Sequence, residues 1–344
     1  MSEPQYRSGS KRVRPFARSA QVKARGCSRL LQRVVTDFAA DLPFAKAMDK
    51  LVEHYGIVVP ESTIRGITLH HAQAMHQRSG GFPQGLPAKA ALAPQTFIVQ
   101  TDGTMVPTVR SAPGAADRRK GKSVQWQEAR VSLAHAKGST ELSYGATLLG
   151  DVDTAGRQLR ACAKRAGFGK GHRVHGVGDG APWISAQMKQ RFGSQGSYLL
   201  DFYHVCDYLG AAAKAIEAEP QAQQTWLRVQ KERLQTQQPD ATLNTLQAHL
   251  EPQPVDDEQA PVRRCYRYLS QRLQQLDYAG AIRDGLPIGS GEIESAHRYL
   301  VQQRLKLPGA WWQASNAEHM LALRVNRANG EWPDYWATDF RFAA

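Results

Sequence analysis

Three acidic positions carry the chemistry this sequence offers. Asp102 stands in Thr101-Asp102-Gly103-Thr104, after an apolar run over residues 96–101, and Asp179 stands in Gly178-Asp179-Gly180-Ala181, after a run over residues 172–178. Each reads as an Asp at the carboxyl edge of a strand, beside a small residue. A third acid comes from Gly289-Ser290-Gly291-Glu292-Ile293-Glu294-Ser295, where two Glu open an expected helix. At about 100° per residue these two lie roughly 200° apart, so only one faces the other acids. With Ile293 at zero, Ala296, Leu300, Val301 and Leu305 spread an apolar sector from about 300° to about 120°; Glu294 falls inside it at about 100°, and Glu292 outside it at about 260°. A Glu on a buried face needs a partner, and a cation supplies one. Glu294 is therefore the expected third acid.

Carboxylates that converge without His or Cys suit a hard, oxygen-seeking cation, so Asp102, Asp179 and Glu294 are expected to be both catalytic residues and the ligands of two Mg2+ ions, with Mn2+ as a substitute. Such a pair promotes in-line displacement at a phosphodiester by activating the attacking oxygen and stabilising the leaving one. Taken singly the acids mean little, because Asp-Gly is a common turn dipeptide and acids in a first helical turn are favoured by the helix dipole. Their conjunction with strand order gives them weight.

The elements that must position them follow from periodicity. Strands are expected over 96–101, 129–134 and 142–149, a helix over 154–166, a strand over 172–178, a helix over 181–192, a strand over 197–200 and a helix over 205–218. Three strands, then helix, strand, helix, strand, helix is the element order of the ribonuclease H-like fold: an α/β architecture with a mixed sheet flanked by helices, in which the first and fourth strands are neighbours. Asp201, in Leu200-Asp201-Phe202-Tyr203-His204, follows the fifth strand. That strand is one removed from the first, so Asp201 and His204 are expected to support the acids from behind, with His204 equally able to pack at a helix start.

The expected divisions are a basic flexible arm (1–26), a helical DNA-binding domain (27–78), a linker rich in Gly and Pro (79–94), the first part of the catalytic core (95–218), a helical insertion (219–286) and the final helices of the core (287–344). Of 344 residues, 44 are Lys or Arg and 31 Asp or Glu, a net charge of +13 that favours a polyanionic partner. Residues 1–90 hold 14 basic and 6 acidic side chains, a surplus of 8. No apolar run approaches the roughly 20 residues of a bilayer span, and the amino end has no apolar segment of a secretory signal, so a cytoplasmic, nucleoid-associated protein is expected. Four scattered cysteines form no Cys-x-x-Cys pair and read as buried thiols.

Within residues 27–78 the apolar spacing gives three helices resembling a helix-turn-helix. The third would bring Ser62, Thr63 and Arg65 to DNA, although an ordinary helical hairpin has the same pattern. Downstream, Arg304, Lys306, Trp311 and Trp312 mix cations with aromatic rings, as a groove for phosphates and unstacked bases does; the two Trp fit a packed core equally well.

The segments around Asp102, Asp179 and Asp201, the stretch from Pro287 to Ser295, the run Arg304-Leu305-Lys306-Leu307-Pro308-Gly309-Ala310-Trp311-Trp312, Asn329-Gly330 and Asp334-Tyr335-Trp336 together resemble the ISKra family of bacterial insertion-sequence transposases. The likeness spans roughly residues 30–340. It departs from the family at the amino end, where a short basic arm stands in place of the longer leader of some relatives. The resemblance implies a DDE transposase: Mg2+-dependent cleavage at element ends, then attack of the freed 3′-hydroxyl on target DNA, with the acids mapping to Asp102, Asp179 and Glu294. The implied partners are double-stranded DNA, as terminal inverted repeats and as target, and further copies of the chain when two ends are brought together. A catalytically silent DNA-binding protein and a structure-specific nuclease on the same fold are the alternatives.

Overall fold

The computed structural model describes residues 26–84, 94–111 and 122–337, with a few positions nearer the amino end, among them a short hairpin pairing Tyr6–Ser8 with Lys11–Val13. Most of the basic arm, and residues 85–93 of the expected linker, lie outside the described residues.

Five strands form one mixed sheet: β1 (Thr96–Ser111), β2 (Lys122–Ala136), β3 (Ser143–Thr147), β4 (Arg173–Gly178) and β5 (Gly196–Leu200), in the order β3-β2-β1-β4-β5. The first three pair antiparallel, whereas β4 and β5 join in parallel. Parallel neighbours need a crossover; α4 (Val152–Arg165) and α5 (Pro182–Phe192) provide them. The sheet is thus α/β and mixed, compatible with the expected ribonuclease H-like order. The first strand differs from expectation. It runs through Asp102-Gly103 to Ser111, because the antiparallel ladder with β2 continues from Phe97 opposite Ala136 to Ser111 opposite Lys122. Gly103 therefore serves as a strand residue and not as a turn: a Cβ there would come within 2.1 Å of Glu128 Oε1, which lies over it from β2.

Strand alternation sends Phe97 and Val99 to one face, where they meet Leu159 and Cys162 of α4 and Met188 and Phe192 of α5. Burial pushes the Cys162 thiol pKa up to about 12, so it stays a packed, uncharged thiol. On the opposite face Val131 and Leu133 pack under α11 (Gly291–Ala296), its continuation through a π-helical turn (His297–Gln302), and α12 (Ala314–Ala328). Beyond β5, α6 (Phe202–Ile216) shares an apolar cluster with the insertion helices α7 (Pro220–Gln235), α8 (Pro239–Gln247), α9 (Pro261–Ser270) and α10 (Tyr278–Arg283).

The amino-terminal helices α1 (Arg29–Asp41), α2 (Phe44–Tyr55) and α3 (Glu61–Ser79) pack onto this body. Ser28 caps the first, and Gly56, at φ 61°, gives the second its left-handed stop. Ala40, Ala72 and Met75 belong to the same apolar cluster as Val131 and Leu321. Two buried arginines complete the junction. Arg304 Nε donates to the Ala39 carbonyl and Arg324 Nη1 to the Ala40 carbonyl, so the last turn of α1 finds the partners a helix end lacks internally. His71, placed between Tyr335 Oη and Gln32 Oε1, is held neutral, its pKa pushed down to about 3 mainly by burial. Among the described residues no helix is long and apolar enough to cross a membrane.

Candidate active site

The strand registers place the expected acids in a row. In the parallel ladders Val99 stands opposite Gly176, and Gly178 opposite Leu200. Carried on along each strand, these offsets bring Asp102, Asp179 and Asp201 level with one another, on neighbours spaced about 4.8 Å apart where paired. The three carboxylates have different surroundings. Asp201 is buried and fully engaged: Oδ1 accepts from the backbone N–H of Tyr203 (2.7 Å) and His204 (3.1 Å), and Oδ2 from the N–H of Ser290 (2.7 Å) and the Ser290 hydroxyl. It caps α6 and anchors the turn that leads into α11. Asp179 is half-buried; its Oδ1 accepts from Ala181 N (2.9 Å). Asp102 Oδ2 lies 3.2 Å from His297 Nε2.

The helix carrying the Glu pair is fixed over β1 by a bond from Ile293 N to Gln100 Oε1 (2.9 Å). Glu292 turns toward β2 and β3, where its Oε2 meets His135 Nε2 at 3.0 Å and shares a cleft with Tyr144 and Ser295. Glu294 lies roughly 200° from it around the helix, on the other flank. Its side chain is exposed, which corrects the expectation that it lies on the buried face. The physical reason is the π-turn from His297 to Gln302: each residue there rotates less than in an α-helix, so Val301 and Leu305 reach the core without widening the apolar sector toward Glu294. The buried set is Ile293, Ala296, His297 and Leu300. Among the described residues no three His, Cys, Asp or Glu side chains are grouped closely enough to hold a metal ion. The three acids therefore do not converge as the sequence led us to expect, and like-charged carboxylates gain nothing by converging without a cation between them.

The His135–Glu292 contact gives a pH-dependent brace. Its hydrogen bond to Glu292 raises the His135 pKa above 6.5, against the opposing effect of burial. A raised folded-state value means the contribution is fully present below about pH 6.5 and fades as pH climbs through the raised value. Glu292→Gln is expected to lower stability by up to about 1 kcal/mol near pH 6, solvent screening of the half-exposed Glu limiting the effect, and by less near pH 9. Denaturant midpoints at the two pH values check this; a loss that grows with pH would refute it.

The insertion braces Asp179 from outside the sheet. Tyr268 Oη donates to the Asp179 carbonyl (2.6 Å), and Arg272 Nε to the Gly180 carbonyl (3.2 Å) while stacking on the Tyr268 ring. Gly180 N in turn donates to Tyr198 Oη (3.1 Å). Burial first, and then the charges of Asp179 and Asp102, raise the Tyr198 pKa, so this hydroxyl stays protonated. The glycines flanking Asp179 accordingly make room for protein: a Cβ at Gly178 would come within 2.8 Å of Tyr198 Oη, and one at Gly180, whose φ is +81°, within 2.7 Å of Leu200. His204 sits among the rings of Tyr208 and Tyr268, one contact behind the Asp179 turn.

The expected DNA-contacting residues divide. Ser62 and Arg65 are exposed, Thr63 half-buried, and Lys306 and Trp311 exposed. Lys306 Nζ lies 3.4 Å from Thr104 Oγ1, two residues beyond Asp102 on the same face. Arg65 and Trp311, with Lys122, line a cleft of about 480 Å3 between α3 and the loop before α12. Arg304 and Trp312 are corrections. Arg304 is 2% exposed, stacked at 4.7 Å on both Phe44 and Trp312, with its pKa lowered to about 10 by burial. Trp312 is buried, and its carbonyl accepts from Val109 N (2.8 Å). An Arg next to two Trp reads as a groove, but here a buried guanidinium stacked between two rings closes a helix end. Arg65→Ala is expected to weaken DNA binding and reduce the salt slope by about 1, whereas Arg304→Ala lowers stability by about 1–3 kcal/mol and leaves the slope unchanged. Binding titrations across salt, with melts alongside, check the pair; a slope change in Arg304→Ala would reverse the assignment.

Sequence reasoning missed His297, the His135–Glu292 contact, Tyr198, Tyr268 and Arg272. For the two histidines a signal was present. His297 lies about 40° from Ile293, and His135 alternates with Val131 and Leu133, so both are titratable groups on apolar faces that call for partners. Comparison of the chain with protein-family models and with curated proteins gives no match.

Proposed function

We propose that this chain is a metal-dependent DNA transposase of the DDE type. The reading rests on the register: carried on from the Val99–Gly176 pair, it brings Asp102 level with Asp179, just past the end of β4, while Glu294 projects from the helix laid over β1, roughly 200° around it from Glu292. In kind, though not in their spacing, these donors are the ones a hard divalent cation takes. Among the described residues Asp102 and Asp179 each keep one carboxylate oxygen outside the protein's hydrogen-bond contacts, and both side chains are reachable from solvent. Asp102, Asp179 and Glu294 would hold Mg2+ there. The chemistry such ions supply when bound is activation of the attacking oxygen and stabilisation of the leaving one.

The protein's own residues do the positioning. Asp201 and Ser290 fix the turn from which Glu294 projects, Tyr268 and Arg272 hold the Asp179 turn against the insertion, and His297 lies against Asp102. Arg65, Lys306 and Trp311 offer cations and a ring to the DNA. In the reaction a water, and later the freed 3′-hydroxyl, attacks phosphorus; the phosphorus–oxygen bond on the far side breaks, and its oxygen leaves with a proton from solvent. Bringing two element ends together implies at least two copies of the chain.

The basic amino end and the Arg65–Trp311 cleft also fit a catalytically silent DNA-binding protein. The test is incubation of the full chain with Mg2+ or Mn2+ and a supercoiled donor carrying the DNA that flanks the coding region, followed by pre-cut ends and a target plasmid. Cleavage and joining are expected. Binding without product would establish the silent protein, and cleavage without joining a nuclease.

A further inference from the structure

Two buried donors in the lining of the Arg65–Trp311 cleft are unused. Arg304 spends Nε on the Ala39 carbonyl, but its Nη2 has no hydrogen-bond partner among the described residues, and neither has Trp312 Nε1. Both side chains line the cleft, both are more than nine-tenths buried, and the guanidinium stacks on the indole at 4.7 Å. A buried N–H without an acceptor is costly, and two of them beside one cleft are accounted for when an occupant brings the acceptor. The rest of the lining says what kind of occupant. Phe44, Leu69 and Pro308 are apolar, and Trp311, 58% exposed, offers a free ring face. Of the charged residues that line the cleft, Arg65, Lys122 and Arg304 are cationic and Glu61 alone is anionic. A volume of about 480 Å3 with apolar walls and a few polar groups suits a planar ring system, and a ring face beside cations is how unpaired nucleic acid is held.

We propose that this cleft takes one unpaired base of the bound DNA, stacked on Trp311, with a carbonyl edge toward Arg304 Nη2 and Trp312 Nε1 and the neighbouring phosphates on Arg65 and Lys122. The inference rests on the DNA-binding part of the reading above and needs no metal ion. Burial keeps Arg304 and Trp312 off the DNA backbone and leaves them as the floor of the cleft. A contact to a base neutralises no phosphate, which agrees with the unchanged salt slope expected for Arg304→Ala. Thymine and guanine present carbonyl oxygens to such donors, whereas adenine has no carbonyl and sets an amino group against them. Trp312 pairs with β1 at Thr108, roughly 20 Å along the strand from Asp102, so the base lies away from the acids.

The test is binding of the full-length protein to three labelled duplexes, one with a single unpaired thymine, one with an unpaired adenine in its place and one fully paired, read by fluorescence anisotropy. Wild type is expected to bind the thymine bulge at least about fivefold more tightly than the paired duplex, and to prefer it to the adenine bulge. Trp311→Ala, at an exposed position, should bring the bulged and paired affinities together. Trp312→Phe keeps a ring in the packed position and removes the Nε1 donor; preference for a bulge should persist, while the thymine-over-adenine ratio falls by at least about twofold. Each readout is a ratio of affinities within one preparation, so a lower folded fraction does not alter it. A wild type indifferent to the bulge, or a preference that survives Trp311→Ala, would overturn the proposal, while binding of the paired duplex would leave the transposase reading standing. An unchanged thymine-over-adenine ratio in Trp312→Phe would overturn the assignment of the base edge. No binding to any of the three duplexes would overturn both readings.

Discussion

Asp179→Asn is expected to abolish cleavage of a supercoiled donor, by at least about a thousandfold or some 4 kcal/mol of transition-state stabilisation, and to leave DNA affinity unchanged or slightly higher. Asn has the same shape, and its amide oxygen can still accept from Ala181 N. The bond from Tyr268 goes to the backbone carbonyl and so survives the change. What disappears is one negative charge at the carboxyl end of β4, and with it a ligand for a divalent cation. Losing that charge reduces repulsion of DNA phosphates, which is why binding holds. Glu292→Gln is the matched control: it removes a charge from the same region, but from the flank of α11 turned toward His135, and cleavage should persist. Plasmid nicking and mobility shifts on the three proteins check the contrast. Full cleavage by Asp179→Asn would remove it from the catalytic set, and equal loss in Glu292→Gln would mean the helix had been assigned the wrong acid.

The relation between strand order and the acids was legible because it follows from connectivity. A strand, a crossover helix and a parallel strand must bring their carboxyl ends to one edge, so Asp179 at the end of β4 and Asp201 at the end of β5 could be located without knowing the register. The register itself could not be read, since the pairing of Val99 with Gly176 depends on which apolar residues meet across the sheet. Nor could the length of β1 be read. Thr101-Asp102-Gly103 looks like a strand end, and it is the ladder with β2, continuing from Asp102 opposite Val131 to Ser111 opposite Lys122, that makes it a strand interior. The wheel over α11 failed at one place, the π-turn, and every residue beyond it was rotated too far; Glu294 was chosen over Glu292 for a burial it does not have. The insertion was recognisable as helical from its composition. That Tyr268 and Arg272 reach back from it to the Asp179 turn is a long-range contact with no local trace.

Asp201→Ala is expected to cost about 1.5–5 kcal/mol of stability and, separately, to misplace the helix that carries Glu294. The estimate adds two effects. Losing the cap on α6 strips acceptors from Tyr203 N and His204 N, worth about 0.5–2 kcal/mol. Losing Oδ2 leaves the N–H of Ser290 without its acceptor in a buried position, worth about 1–3 kcal/mol. Asp201→Asn separates them. Its amide oxygen can keep the cap, but its NH2 would face the Ser290 N–H donor to donor, so the Gly289–Gly291 turn must move even where α6 stays intact. If Asp201 serves by positioning, Asn should recover much of the stability and little of the cleavage, because the turn sets where α11 begins and hence where Glu294 projects. Ser290→Ala, which removes only the hydroxyl, should fall between wild type and Asn in both respects. Denaturant unfolding and donor cleavage on the same preparations decide it: Asn that restores stability and cleavage together would mean that the turn tolerates the donor pair and that Asp201 matters to the fold alone.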